Sequence, residues 1–233
     1  MSQRTNQESA VGIVPKAPGA RPETDVPLLR RPFRIIREHR RAYLVLNAAA
    51  YGLGLVGFAL GLAFPELTRA RETALVDDGT ADLVTWLVTQ PWLFALTILG
   101  VNVGQLGLLR IVLPSLVVPF LGLALFAYWA VETGITLVPA TEQGWVAMIP
   151  HSLTVVIEFQ AYILLLLGAY LLGRHWLFPR TVGAANRRQG YVLGLRRLGL
   201  LAMPAFALLV VGALWEAMSL RYLIYPLSQL ILG

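Results

Sequence analysis

The sequence predicts an all-α protein, a polytopic transmembrane helical bundle of about five spans, and three observations lead there. Only 14% of the 233 residues are charged, against roughly 25% in an ordinary soluble domain. The charges are also segregated: residues 1–41 hold nine of the nineteen basic residues, and the 23 that follow hold no charge at all. Finally, basic residues cluster in alternate connections between apolar runs, as the positive-inside rule requires. The mean hydropathy of +0.65 therefore averages a polar tail and a membrane domain over 42–233. The length leaves no room for a second soluble domain of the usual size. The absence of cysteine excludes disulfides, thiolate metal sites and cysteine nucleophiles. Eighteen arginines against the single Lys16 fit headgroup binding, but a GC-rich genome is the plainer source.

Residues 1–27 carry Pro15, Pro18, Pro22 and Pro27 among polar residues and lack the periodicity that buries surface, so a disordered cytoplasmic tail is expected. No apolar signal-peptide core lies within the first 30 residues, and the first span is expected to remain in the mature protein. Residues 28–41, LLRRPFRIIREHRR, predict a basic juxtamembrane helix whose Arg30, Arg31, Arg34, Arg37, Arg40 and Arg41 meet anionic headgroups. A bare topology signal is the simpler alternative. The charge-free run 42–64 reaches about 34 Å, enough for a hydrocarbon core of about 30 Å. Its Gly57 and Gly61 form a GxxxG that permits close helix contact.

Residues 65–91 bring five carboxylates and predict a loop with a short surface helix from Thr80, whose hydroxyl can cap it. Residues 92–138 are apolar for 47 positions, about 70 Å of helix and too long for one span. The coincidence of Arg110 and Pro114 places the break there, giving spans 92–109 and 115–138. A loop at 139–149, a fourth span at 150–172, a connection with six arginines and a fifth span at 198–218 complete the reading. The tail 219–233 reads equally as a span extension or an interfacial helix.

With five spans, basic residues divide 16 to 3 between the two sides. This predicts a multi-pass protein of the bacterial inner membrane, amino terminus in the cytoplasm and carboxyl terminus outside. Four spans would break the pattern.

Oriented this way, Glu132 lies roughly 9 Å inside the outer end of the third span and Glu158 roughly 12 Å inside the fourth, with Glu216 near the outer end of the fifth. His151 is seven residues before Glu158, an offset of only about 20° on a helix, and Thr154 and Tyr162 continue that face. Charge in a span is costly and normally faces a bundle interior or a watery cavity. His151, Glu158, Glu132, Glu216 and Tyr162 are therefore the candidate intramembrane polar site. The alternative is that the shallow acids reach headgroup water while His151, a hydroxyl or Arg221 satisfies Glu158. Asn102 and Gln105, beside a second GxxxG of Gly100 and Gly104, read as hydrogen-bonding glue between helices.

One His and one Glu per helix fall short of a zinc site. No GxSxG or GxxxxGK[ST] motif is present. No metal, cofactor or enzymatic activity is expected.

The run IPHSLTVVIEFQAYILLLLGAYLLGRHWLFP carries Pro150, His151, Glu158, Ala161, Gly168 and Gly173, and ALWEAMSLRYLIYP carries Glu216, Ala217 and Pro226. These patterns resemble the stage II sporulation protein M family, with Ser152 where that family has glycine. The likeness covers about 45 residues. It implies five spans and a non-enzymatic scaffold or partner-binding subunit of an envelope-remodelling complex. A transporter or permease subunit with an outward-facing pocket for a cation or substrate is the rival. The expected partners are the bilayer, anionic headgroups and envelope proteins, and no nucleic acid; an oligomer stays open.

Overall fold

The computed structural model describes residues 27–233. Residues 1–26, most of the expected tail, lie outside the described part. Among the described residues there is no strand, and four helices are long and apolar enough to cross a membrane.

After a 3-10 turn at Leu28–Arg30, α1 (Arg31–Glu38) starts with Pro32 in its first turn and buries Pro32 and Ile35. Helix α2 (Arg40–Ala63) follows at once and is the first long apolar helix, within two residues of the expected run. Pro65 sits at the start of α3 (Pro65–Asp77), and α4 (Thr80–Val88) begins where expected. The segment anticipated as a loop is thus largely helical. Thr80 does not cap α4; Gly79, at φ 78°, turns the chain, and Asp78 Oδ1 accepts the Thr80 N–H at 2.9 Å.

The break expected at Arg110–Pro114 is not there. Helix α5 (Pro91–Gly100) passes into a π-helical segment (Val101–Val112) and then into α6 (Leu113–Val117), forming one helical rod over Pro91–Val117. Pro114 is carried within this rod, at the start of α6 where π winding gives way to α. Pro119 ends the rod instead. It forces the preceding Val118 into an extended conformation (φ −125°, ψ 119°), and Phe120 then reverses the chain with φ 67°. Helix α7 (Leu121–Thr136) is therefore shorter than the expected 115–138 span. Its 16 residues reach about 24 Å, short of the hydrocarbon core.

Helices α8 (Glu142–Leu177) and α9 (Arg187–Tyr222) each have 36 residues and overrun the expected spans. Helix α8 starts eight residues before Pro150, because the Thr141 hydroxyl accepts the Gly144 N–H and nucleates the first turn. Pro150 lies inside the helix. Helix α9 starts at its own cap, where Asn186 Oδ1 accepts the Gln189 N–H and Gln189 reaches back to the Ala185 N–H. Five of the six arginines expected in a connecting loop are therefore helical, and the connection shrinks to a 3-10 turn at Pro179–Val182 and a few flanking residues. The tail turns at Leu223 into a separate helix, α10 (Ile224–Leu232), which packs on both α8 and α9.

Helix α8 is the centre of the bundle. From Ala161 to Ala169 it is buried on every side, the signature of a helix surrounded by others. Its partner α9 approaches through Gly190 and Gly194, whose absent side chains admit the His175 carbonyl and Leu172 backbone. Helix α2 meets α7 in the same way, Gly57 against Val131 and Gly134 against Gly54 and Phe58.

Candidate functional site

The expected polar site divides into two centres. The first lies between α8, α9 and the π-helical segment. Glu158 accepts a hydrogen bond from the Asn102 amide. His151 Nδ1 stands 3.6 Å from Glu216 Oε1 on α9, not against Glu158. The two residues expected to pair thus share a helix face but turn to different partners. Trp215 Nε1 donates to the Pro150 carbonyl at 3.0 Å and fixes α9 beside His151. Gly212 makes room for Glu158, whose Cγ would stand 3.1 Å from any Cβ placed there. Glu216 and Glu158 lie within electrostatic range of each other. The buried Tyr162 hydroxyl lies in the field of both, and neither it nor the buried Thr154 hydroxyl has a hydrogen-bond partner. The Arg221 guanidinium rests 6.0 Å over the Tyr222 ring.

The second centre holds Glu132. Its carboxylate pairs with Arg71 Nη1 at 2.8 Å and Arg110 Nη1 at 3.9 Å, and Arg71 Nε donates to Thr136 Oγ1 at 3.2 Å. Glu132 is thus neutralised by two arginines, one from α3 and one from the π-helical segment. Arg110 is an arginine within a membrane helix, and the expectation that it marks a connection is corrected.

Asn102 and Gln105 do not act together. Asn102 bridges to Glu158, whereas Gln105 is exposed. Residues three apart lie roughly on one face of an α-helix, but π winding, with i→i+5 bonds, turns them apart. Gly100 and Gly104 have open space around them and form no contact seam. Of the arginines on the basic segment, Arg34 pairs with Glu38 at 3.4 Å. Arg37, Arg40 and Arg41 instead line a cavity of about 760 Å³ with Arg174 from α8, while Arg30 and Arg31 are not among its lining residues.

Two further polar groups escaped the sequence reading. Gln160 is a hub between α8 and α2: it accepts from Tyr43 OH at 2.6 Å and donates to Asn47 Oδ1 at 2.8 Å and Tyr51 OH at 3.0 Å. At the other end of the bundle from Glu132, Arg197 Nη1 lies 2.9 Å from His39 Nε2 and 3.4 Å from His175 Nε2. The signal for the hub was present, since Asn47 is the lone amide in a charge-free run and Gln160 follows Glu158 by two positions. Among the described residues, no three His, Asp or Glu side chains group as a metal site.

Comparison with known proteins finds no match: no family model, no curated protein and no solved structure is significantly similar to the chain.

Proposed function

We propose that this membrane protein is a non-enzymatic scaffold, a partner-binding subunit of an envelope complex, whose working surface is the α3–α4 segment. The observation that carries this reading is the clamp from Arg71 to Glu132 and Thr136, which ties α3 to α7. A connection that merely linked two spans would need no such anchor. The anchored segment presents Glu66, Glu72, Asp77, Asp78 and Asp82, all exposed, beside the exposed Trp86 and Trp92. Acids flanked by aromatic rings offer charge for orientation and apolar area for affinity.

The orientation follows from the basic residues. Counting α7 as a fifth crossing and leaving out Arg110, the basic residues divide 15 to 3, which supports an amino terminus in a bacterial cytoplasm and α3–α4 on the outer face. The resemblance to the stage II sporulation protein M family is part of the same proposal. Its two stretches meet through His151 and Glu216, which favours their acting as one unit. Capture by photocrosslinkers at the exposed Val76 and Leu83, in native membranes, tests the reading. A discrete protein adduct that Arg71→Ala weakens supports it; labelling of lipid alone refutes it.

A second reading, a transport subunit, draws on Glu158 and Glu216 in mutual range with the unpartnered Tyr162 and Thr154 hydroxyls beside them. A proton or small cation would relieve the repulsion between the two acids. The neighbouring π-helical segment is a feature frequent at functional sites. Cation uptake by reconstituted vesicles, abolished by Glu158→Gln at unchanged protein level, would replace the scaffold with this reading.

A further inference from the structure

Two stretches distant in sequence supply arginines to one place at the end of the bundle where α1 meets α2. Arg37 comes from α1, Arg40 and Arg41 from the start of α2, and Arg174 from the end of α8, and together they line one open cavity of about 760 Å³. This volume lies within the range of small-ligand sites, roughly 300–1,000 Å³. Four guanidiniums face a single lining carboxylate, Glu38, which is already engaged by Arg34 at 3.4 Å.

The start of α2 adds to the excess of positive charge. A helix amino terminus carries partial positive charge and free N–H groups, and it favours acids or a capping oxygen. Helix α2 has neither: no acid lies in its first turn, no side chain caps it, and its first two residues are Arg40 and Arg41. Such an arrangement is self-repelling until an anion enters. Arginine forks suit phosphate oxygens in particular, since each can donate two parallel hydrogen bonds.

The rest of the cavity is apolar. Val45, Leu46 and Leu123 line it below the arginines, with Tyr170 on the α8 side. Val45 is 66% exposed and belongs to a helix whose long apolar run suits it to the bilayer. A soluble phosphate would leave that wall bare, whereas an acyl chain covers it.

We propose that this cavity binds one anionic phospholipid, its phosphate held by Arg37, Arg40, Arg41 and Arg174 and an acyl chain lying along Val45 and Leu123. The site differs from a diffuse basic collar because Arg174, remote in sequence, closes it, and because Arg30 and Arg31 take no part.

The test uses the full-length protein purified in a mild detergent. Native mass spectrometry reads retained lipid after adding phosphatidylglycerol or phosphatidylcholine, with inorganic phosphate as competitor. Wild type is expected to retain one phosphatidylglycerol in preference to phosphatidylcholine, and millimolar phosphate is expected not to displace it. Arg41→Gln should weaken retention about fivefold, and Arg41→Gln with Arg174→Gln about thirtyfold, the scale of one juxtamembrane arginine applied once and twice. Arg188→Gln, in a separate basic patch with Arg196, should leave retention unchanged. Leu123→Trp, which fills the apolar wall but keeps every arginine, should also reduce retention. Equal retention of the two lipids, equal loss in the Arg188 variant, or displacement by inorganic phosphate would each overturn the proposal. Should the double variant fail to fold, the wild type decides alone: phosphatidylglycerol must raise its melting temperature and phosphatidylcholine must not.

Discussion

Replacing Gly134 by alanine tests the packing of α2 against α7 with a single methyl group. A Cβ at this position would stand 2.8 Å from the Phe58 nitrogen and 3.0 Å from the Gly57 carbonyl carbon, and closer still to the Gly54 carbonyl oxygen. All three are backbone atoms, so no side chain can rotate away and the helices must part. A parting of roughly 0.5–1 Å forfeits about a quarter to a half of the attraction at each contact along the seam. Overpacking of this kind costs about 1–3 kcal/mol, offset by up to about 1 kcal/mol for the better helix propensity of alanine. The net loss is up to about 2 kcal/mol, or up to about 8 °C in melting temperature for a chain of this size, and about 1–3 kcal/mol against an alanine variant that gains the same propensity without the overpacking. The assay is thermal unfolding in detergent followed by intrinsic fluorescence. Gly52→Ala is the control, because nothing lies within 4 Å of the added methyl, and it should melt at or above wild type. If Gly134→Ala melts with Gly52→Ala, the close approach of α2 and α7 is wrong.

Gln160→Leu removes three hydrogen bonds between α8 and α2; at about 0.6 kcal/mol each in a membrane, the loss is about 2 kcal/mol, readable in the same melting assay. Arg71→Ala leaves Glu132 with only the longer contact to Arg110, 3.9 Å away. It should release α3 by about 1–2 kcal/mol, seen as faster protease cleavage near Gly79 with the remainder of the bundle intact. His39 is held below its ordinary pKa of 6.5 by burial first and then by Arg197, with Arg174 acting the same way and Glu38 opposing. Folding therefore favours its neutral form, so the stability it contributes is present above pH 6.5 and lost as pH falls through the lower, folded-state value. Protection factors in α1, which remove the intrinsic slowing of exchange in acid, should fall from pH 7 toward pH 5, with Arg197, Arg174, Glu38 and His175 as the facing charges and ring. His39→Gln should flatten that dependence.

The helical class was legible because spans are written in composition: charge-free runs of 20 residues or more leave few alternatives in a bilayer. Helix ends were harder to read. Pro114 and Pro119 look alike in the sequence, yet one is carried within the rod and the other follows an extended Val118 and ends it. Thr141 and Asn186 were readable as caps, but hydropathy drew attention to the apolar runs they precede. The candidate acids were found from their cost in the membrane, and Glu158, Glu216 and His151 do gather in one region. Their partners were not legible. Asn102 and Glu158 are 56 positions apart and Arg71 and Glu132 are 61 apart, and pairing at such distance depends on how the helices cross. Gln105 failed for a local reason, because the α-helical periodicity assumed for it does not hold in π winding.

The most direct test of the scaffold is site-specific photocrosslinking from Val76 and Leu83 in native membranes, with every adduct identified by mass spectrometry. The account predicts a discrete protein adduct from both positions, weakened in Arg71→Ala and preserved in Glu158→Gln. Adducts to lipid alone would contradict it, and cation uptake that depends on Glu158 would put the transport reading in its place.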